Sequence, residues 1–298
     1  MKIDLHIHTS TGGDGAMTVE EVLHEAKKRG IGVISVTDRD SMAAQAKAIT
    51  LAREFGIKYI TGIELNVSML IPPGKNISLD FLGYGYDINN RPLMDKLAQI
   101  REHREWRAQE ILRKMNTEFI KEGIPVLTNE DIENIKRSVD GSFGRPHVAA
   151  YLVTKGIVDS TQQAFDKYLI KCDVPKYPLS LPEASKLIRE AGGILILAHP
   201  NDPNGTSLRS LTTELEKQTL IIQENMLFSS IECTLIDGIE VWHSRHDDET
   251  IKHYLKFAKE YNLVITGGSD CHQKPIIMGS VNVPDFIVGQ FKKNKVIN

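Results

Sequence analysis

Apolar and polar residues alternate from Lys2 to His8, with Ile3, Leu5 and Ile7 set against Asp4, His6 and His8. A period of two predicts a short strand, and side chains two apart share a face. His6 and His8 therefore aim two imidazoles at one point. A Gly-rich loop over 9–16 carries Asp14, and then the period becomes helical. Thr18 caps a helix with Glu20 and Glu21 in its first turn. Val19, Val22, Leu23 and Ala26 form its apolar stripe, and Gly30 stops it. A strand over 32–36 ends in Thr37-Asp38-Arg39-Asp40. A helix over 41–55 leads to a strand over 58–61 that ends in Gly62-Ile63-Glu64. This rhythm predicts repeated β/α units with parallel strands. Residues 66–87 interrupt it with a predicted hairpin, 65–70 and 77–82, around Pro72-Pro73-Gly74.

The texture changes at 89. A long charged helix over 93–122 has one apolar stripe, shorter helical pieces follow, and no strand is convincing before 174. Residues 89–174 therefore read as a helical insertion, with 1–88 and 175–298 forming one β/α domain. The rhythm resumes with a helix over 181–191 and a strand over 194–197 ending in Ala198-His199-Pro200. Residues 201–234 are polar and hold a loop and a helix. A strand over 238–241 ends in Trp242-His243, a helix covers 248–261, and a strand over 263–266 ends in Gly267-Gly268-Ser269-Asp270-Cys271-His272.

His6, His8, Asp38, Glu64, His199, His243, Asp270 and His272 thus all fall at the ends of predicted strands. In a β/α barrel these ends lie on one face, where active sites are built. Neutral imidazole and carboxylate together make a transition-metal ligand set. The 298 residues are 41% hydrophobic and 25% charged with a net charge of −3, an ordinary globular balance without the basic footprint of a long-nucleic-acid binder. Cys172, Cys233 and Cys271 show no CxxC spacing, which points to a reducing compartment. No secretory signal or bilayer-length apolar run is read, so the expectation is a soluble cytoplasmic protein without a membrane partner.

Several motifs occur together in order: DLHIHTS followed by Asp14-Gly15, VTDRD, GIE at 62–64, AHP at 198–200 and GGSDCH. This set resembles the polymerase and histidinol phosphatase (PHP) family. GRPHVAAYLVTKGIV at 144–158, QAFDKYL at 163–169 and GIEVWHSRHDDET resemble its nucleoside 3′,5′-bisphosphate phosphatase branch. The resemblance implies a distorted (β/α)7 barrel with a helical insertion and two or three divalent ions, manganese, iron or zinc. One ion is then expected on His6, His8, Glu64 and Asp270. A second is expected on Glu64, Asp80 and His199, and a third on Asp14, residue 39 and His272. Glu64, His199 and His272 are the implied catalytic residues.

Two positions depart from the family pattern, which has histidine where this chain has Arg39 and Asp80. A carboxylate still binds metal, but arginine offers no lone pair. The expectation for this chain is therefore two ions, with Arg39 paired to Asp14 and turned to substrate charge. Arg145, framed by Gly144 and Pro146, is the leading phosphate donor, followed by Lys167, His246 and Arg245. His147 reads as a helix-cap or packing residue. The implied activity is metal-dependent hydrolysis of a phosphate monoester on a small phosphorylated molecule such as a nucleoside 3′,5′-bisphosphate. Hydrolysis of a cyclic phosphate, a diester or a short oligonucleotide is an alternative. A metal- or nucleotide-binding module that has lost catalysis is another.

Overall fold

The opening alternation becomes β1 (Lys2–Asp4), paired in parallel with β2 (Ile31–Ile34), which pairs in parallel with β3 (Lys58–Tyr59). The computed structural model describes residues 1–71, 74–137, 144–204, 206–227, 234–273 and 275–293. They form two units, 1–94 with 178–298, and 95–177.

In the first unit, a second sheet runs β4 (Gly62–Ile71), β5 (Lys75–Tyr84), β6 (Ile194–Leu197), β7 (Gly238–His243) and β8 (Val264–Gly268). Both pairings of β5, with β4 and with β6, are antiparallel, whereas β6–β7 and β7–β8 are parallel. The β4–β5 pairing is the expected hairpin, and β6, which resumes the direction of β4, is therefore antiparallel to β5 as well. A connection of three residues can only reverse the chain, because a parallel return needs a crossover of a dozen or more. Pro72 and Pro73 of that connection lie outside the described residues. Backbone hydrogen bonds also join the two sheets along both flanks. Leu5 N donates to Gly267 O, Asp270 N to His6 O and His8 N to Cys271 O; Glu64 N donates to Asp38 O and Asp40 N to Glu64 O. The ends of β1, β2, β4 and β8 are thereby drawn together.

Helix α1 (Val19–Arg29) starts on a reciprocal cap between Thr18 and Glu21 and ends on Gly30 at φ 71°. Its buried Val19, Val22, Leu23 and Ala26 pack with Ile31, Ile34 and Val36, each fully buried Val or Leu being worth about 1.5–3 kcal/mol. Helix α2 (Gln45–Phe55) begins later than the expected 41. The buried Gln45 amide binds Val36 O and Gly62 O, fixing the helix start against both sheets.

The 95–177 unit has no strand among its described residues. Helix α3 (Arg91–Glu122) supplies Ala108, Ile111, Leu112, Met115 and Phe119 at helical spacing to a core shared with α4 (Asn129–Arg137), α5 (Arg145–Thr154) and α6 (Thr161–Ala164). The first unit is completed by α7 (Leu181–Glu190), α8 (Leu215–Ile222), α9 (Asp248–Glu260) and α10 (Ile287–Lys293). Among the described residues no helix is long and apolar enough to cross a membrane. Cys172 and Cys271 are buried free thiols, and Cys233 lies outside the described residues.

Candidate metal centre

Beyond β1, Leu5, His6, Ile7 and His8 are all buried. Neither face of this stretch meets solvent, so the histidine face looks inward. The Nε2 atoms of His6 and His8 lie 3.2 Å apart, as period two predicts. Asp270 Oδ1 is 3.3 Å from the first and 3.2 Å from the second. Glu64, from β4, reaches His6 Nε2 at 3.6 Å through Oε1 and His8 Nε2 at 3.4 Å through Oε2. Its Oε1 is also 3.2 Å from His199 Nε2. Two close donor groups result, His6–His8–Asp270 and His6–Glu64–His199.

The backbone is bent to bring them there. His199 and Asp270 adopt φ 20° and 55°, a region costly for non-glycine residues and typical of functional positions. Glu240 Oε2 accepts from His199 N at 2.8 Å, and Asp270 N donates to His6 O at 2.8 Å. Glu240 Oε1 also lies 3.0 Å from His6 Nδ1. With its proton on Nδ1 facing that carboxylate, His6 keeps the Nε2 lone pair for a metal. The sequence reading did not single out Glu240. The available signal was an acid inside the otherwise apolar Gly238–Trp242 run. Glu240→Gln should weaken metal affinity by about 10–100-fold without loss of helix content. Titration calorimetry beside circular dichroism checks this.

A third group joins His8, Asp14 and His272. Asp14 Oδ1 is 3.5 Å from His272 Nε2, and the His8 and His272 rings stack at 3.9 Å. Asp38 takes no part. It accepts from Thr9 N and Thr9 Oγ1 at 2.6 and 2.7 Å and so pins the loop that carries Asp14. A Cβ at Gly13 would come within 2.7 Å of Asp38 Oδ1, which is why the loop needs glycine there.

Asp80 does not join Glu64 and His199 as a close donor. Its Oδ2 is 3.0 Å from Arg39 Nη1 and its Oδ1 accepts from Asn66 Nδ2 at 2.6 Å, so both oxygens are engaged. His243, Asp202 and Asp270 form a further buried group, in which Arg245 Nη1 pairs with Asp202 at 2.6 Å and approaches Asp270 at 3.5 Å. His246 is buried with Nδ1 on Val241 O at 2.9 Å and Nε2 on Asn201 N at 3.4 Å, leaving neither nitrogen open to a substrate. Arg145 and Lys167 belong to the 95–177 unit. Arg145 pairs with Asp173 at 3.0 Å and Lys167 with Glu122 at 2.9 Å. His147 Nδ1 accepts from Gly144 N, closing the cap of α5.

The donor set fits divalent metal. Asp270 Oδ1, inside the first group, is buried without a hydrogen-bond partner, a costly condition that an ion there would relieve. Protonation shows the same concentration of charge. Burial pushes His199 down, but the Glu64 carboxylate outweighs it and lifts the imidazole to about 9. Burial, aided by His272, lowers His8 to about 4. Without metal, protons are held beside the carboxylates; an ion would displace them.

A family model described as PHP domain matches residues 4–170. The chain belongs to the PHP family. Among PHP relatives, a 5′-3′ exoribonuclease of Haemophilus influenzae is 32% identical over 275 residues, covering 91% of this chain and 90% of the relative. A 3′,5′-nucleoside bisphosphate phosphatase of Chromobacterium violaceum is 30% identical over 276 residues, covering 91% and 87%. A solved structure from Bifidobacterium adolescentis, assigned as a metal-dependent phosphoesterase, superposes with a TM-score of 0.75 at 25% identity and covers 98% of this chain and 96% of that one. The PHP α/β fold and a metal-competent donor cluster therefore occur together in this chain.

Proposed function

We propose that this PHP phosphoesterase removes a phosphate from a nucleoside 3′,5′-bisphosphate. The observation that carries the reading is the convergence of His6, His8, Glu64, His199 and Asp270 within two overlapping donor groups. The hydrogen bonds along both flanks of the two sheets support a distorted β/α barrel as the frame, interrupted in sequence by the 95–177 unit. When bound, divalent ions supply Lewis acidity toward phosphoryl oxygens and lower the pKa of water. Glu64 spans both donor groups and sets their separation. Glu240 orients His6. His272, with 24% of its side chain exposed, can move a proton at Nε2 between Asp14 and solvent. The 30% identical bisphosphate phosphatase supports that substrate class. The 32% identical exoribonuclease favours a second reading, hydrolysis at the end of a short RNA.

Product formation under manganese separates these readings: phosphate from a 3′,5′-bisphosphate, a ring-opened monoester from a cyclic phosphate, and a mononucleotide from a short 5′-phosphorylated oligoribonucleotide. The bisphosphate should turn over fastest. Faster cleavage of the oligomer would favour the second reading, and no product from any of the three would reject both.

A further inference from the structure

Arg39 stands inside the ring of donors rather than beside it. Its backbone is locked in a bridge with Glu64, flanked by the Glu64 N to Asp38 O and Asp40 N to Glu64 O bonds. From there Nη1 lies 2.9 Å from Glu64 Oε2 and 3.0 Å from Asp80 Oδ2, and Nε lies 3.4 Å from Asp14 Oδ2. One guanidinium thus touches three carboxylates with metal-ligand chemistry. It stays protonated and donates no lone pair.

The charges around it are close to balance. Asp14, Glu64, Asp80, Asp270 and Glu240 are five acidic groups within or against the donor set, whereas Asp202 is neutralised separately by Arg245. Two divalent ions and one guanidinium cancel five negative charges. A third divalent ion at His8–Asp14–His272 would sit beside the guanidinium, where like charges repel strongly at reduced dielectric. It would also have to share the carboxylate that Arg39 already holds.

We propose that Arg39 is a fixed internal cation that takes the place of a metal ion, so that the centre binds two divalent ions while Asp14 and His272 bind none. Asp80 is its counter-anion, which accounts for that carboxylate standing apart from the metal donors. With 29% of its side chain exposed, Arg39 also leaves a permanent positive edge for a phosphate oxygen. This inference rests on the reading of the site as a divalent-metal centre.

Elemental analysis of protein dialysed against manganese tests it. The unaltered chain should hold two ions, and Asp14→Asn should still hold two. Arg39→His should hold three, and the combination of Arg39→His with His272→Ala should return to two. Three ions in the unaltered chain, or a drop to one in Asp14→Asn, would overturn the proposal whatever the folding of the Arg39 variants. So would a count of two in a folded Arg39→His variant. Two ions without phosphate release from any substrate would instead reject the proposed function and leave this inference standing. No ions at all would reject both.

Discussion

Replacing Glu64 by glutamine should reduce phosphate release by on the order of a thousandfold and lower the bound metal from two ions to one or none. The side chain is fully buried, and its two oxygens serve different neighbours: Oε1 faces His199 and His6, Oε2 faces His8 and Arg39. Glutamine keeps the shape but loses the charge, and its amide nitrogen points a donor at one of those groups. Losing several kcal/mol of metal-derived stabilisation corresponds to about three factors of ten in rate. The unfolding midpoint should remain measurable, because the β4–β5 register around Glu64 is held by backbone pairing from Gly62↔Tyr84 to Ile71↔Lys75. Near-normal turnover with both ions retained would show that Glu64 is not shared between them.

Chelation should abolish turnover, and manganese should restore it. Stripping the ions should also lower the melting temperature by about 5 °C per ion, since each ligand at a hundred times its Kd adds about 2.7 kcal/mol to the folded state. The accompanying proton balance has a definite sign. His199 in the metal-free centre titrates at about 9, and His6 is also raised, the Glu240 and Asp270 charges outweighing its burial. Both imidazoles therefore carry protons at pH 7 and must release them to bind metal. Affinity should rise with pH from 7 toward about 9, as His199 gives up its proton. Calorimetry in two buffers of different ionisation enthalpy should register net proton release at pH 7. Proton uptake, or no buffer dependence, would contradict the assignment of these imidazoles as ligands.

Much of this centre was legible in the chain. The His6–His8 spacing placed both rings on one face, and the polar residues closing apolar runs at Glu64, His199 and Asp270 meet in space. Period and punctuation report local geometry, so local features survived translation into structure. Partnerships across the fold did not. Glu240 meets His6 across 234 residues and Arg39 meets Asp80 across 41, and no spacing rule encodes either pairing. His246 looked available because it follows Arg245 past a strand end. In the structure its ring turns inward to Val241 O and Asn201 N. The reversed direction of β5 was legible in the break at Pro72-Pro73-Gly74, because so short a connection between two strands makes a hairpin. The positive φ of His199 and Asp270 had no sequence signal, since neither is glycine or lies in an Asn-Gly type turn.

Anomalous diffraction at the manganese edge, from crystals of the unaltered protein grown with that metal, tests the central claim most directly. Two peaks are expected, one bound by His6, His8 and Asp270, the other by His199, with Glu64 contacting both. Peaks confined to other parts of the molecule, or no peak near these five side chains, would contradict the account.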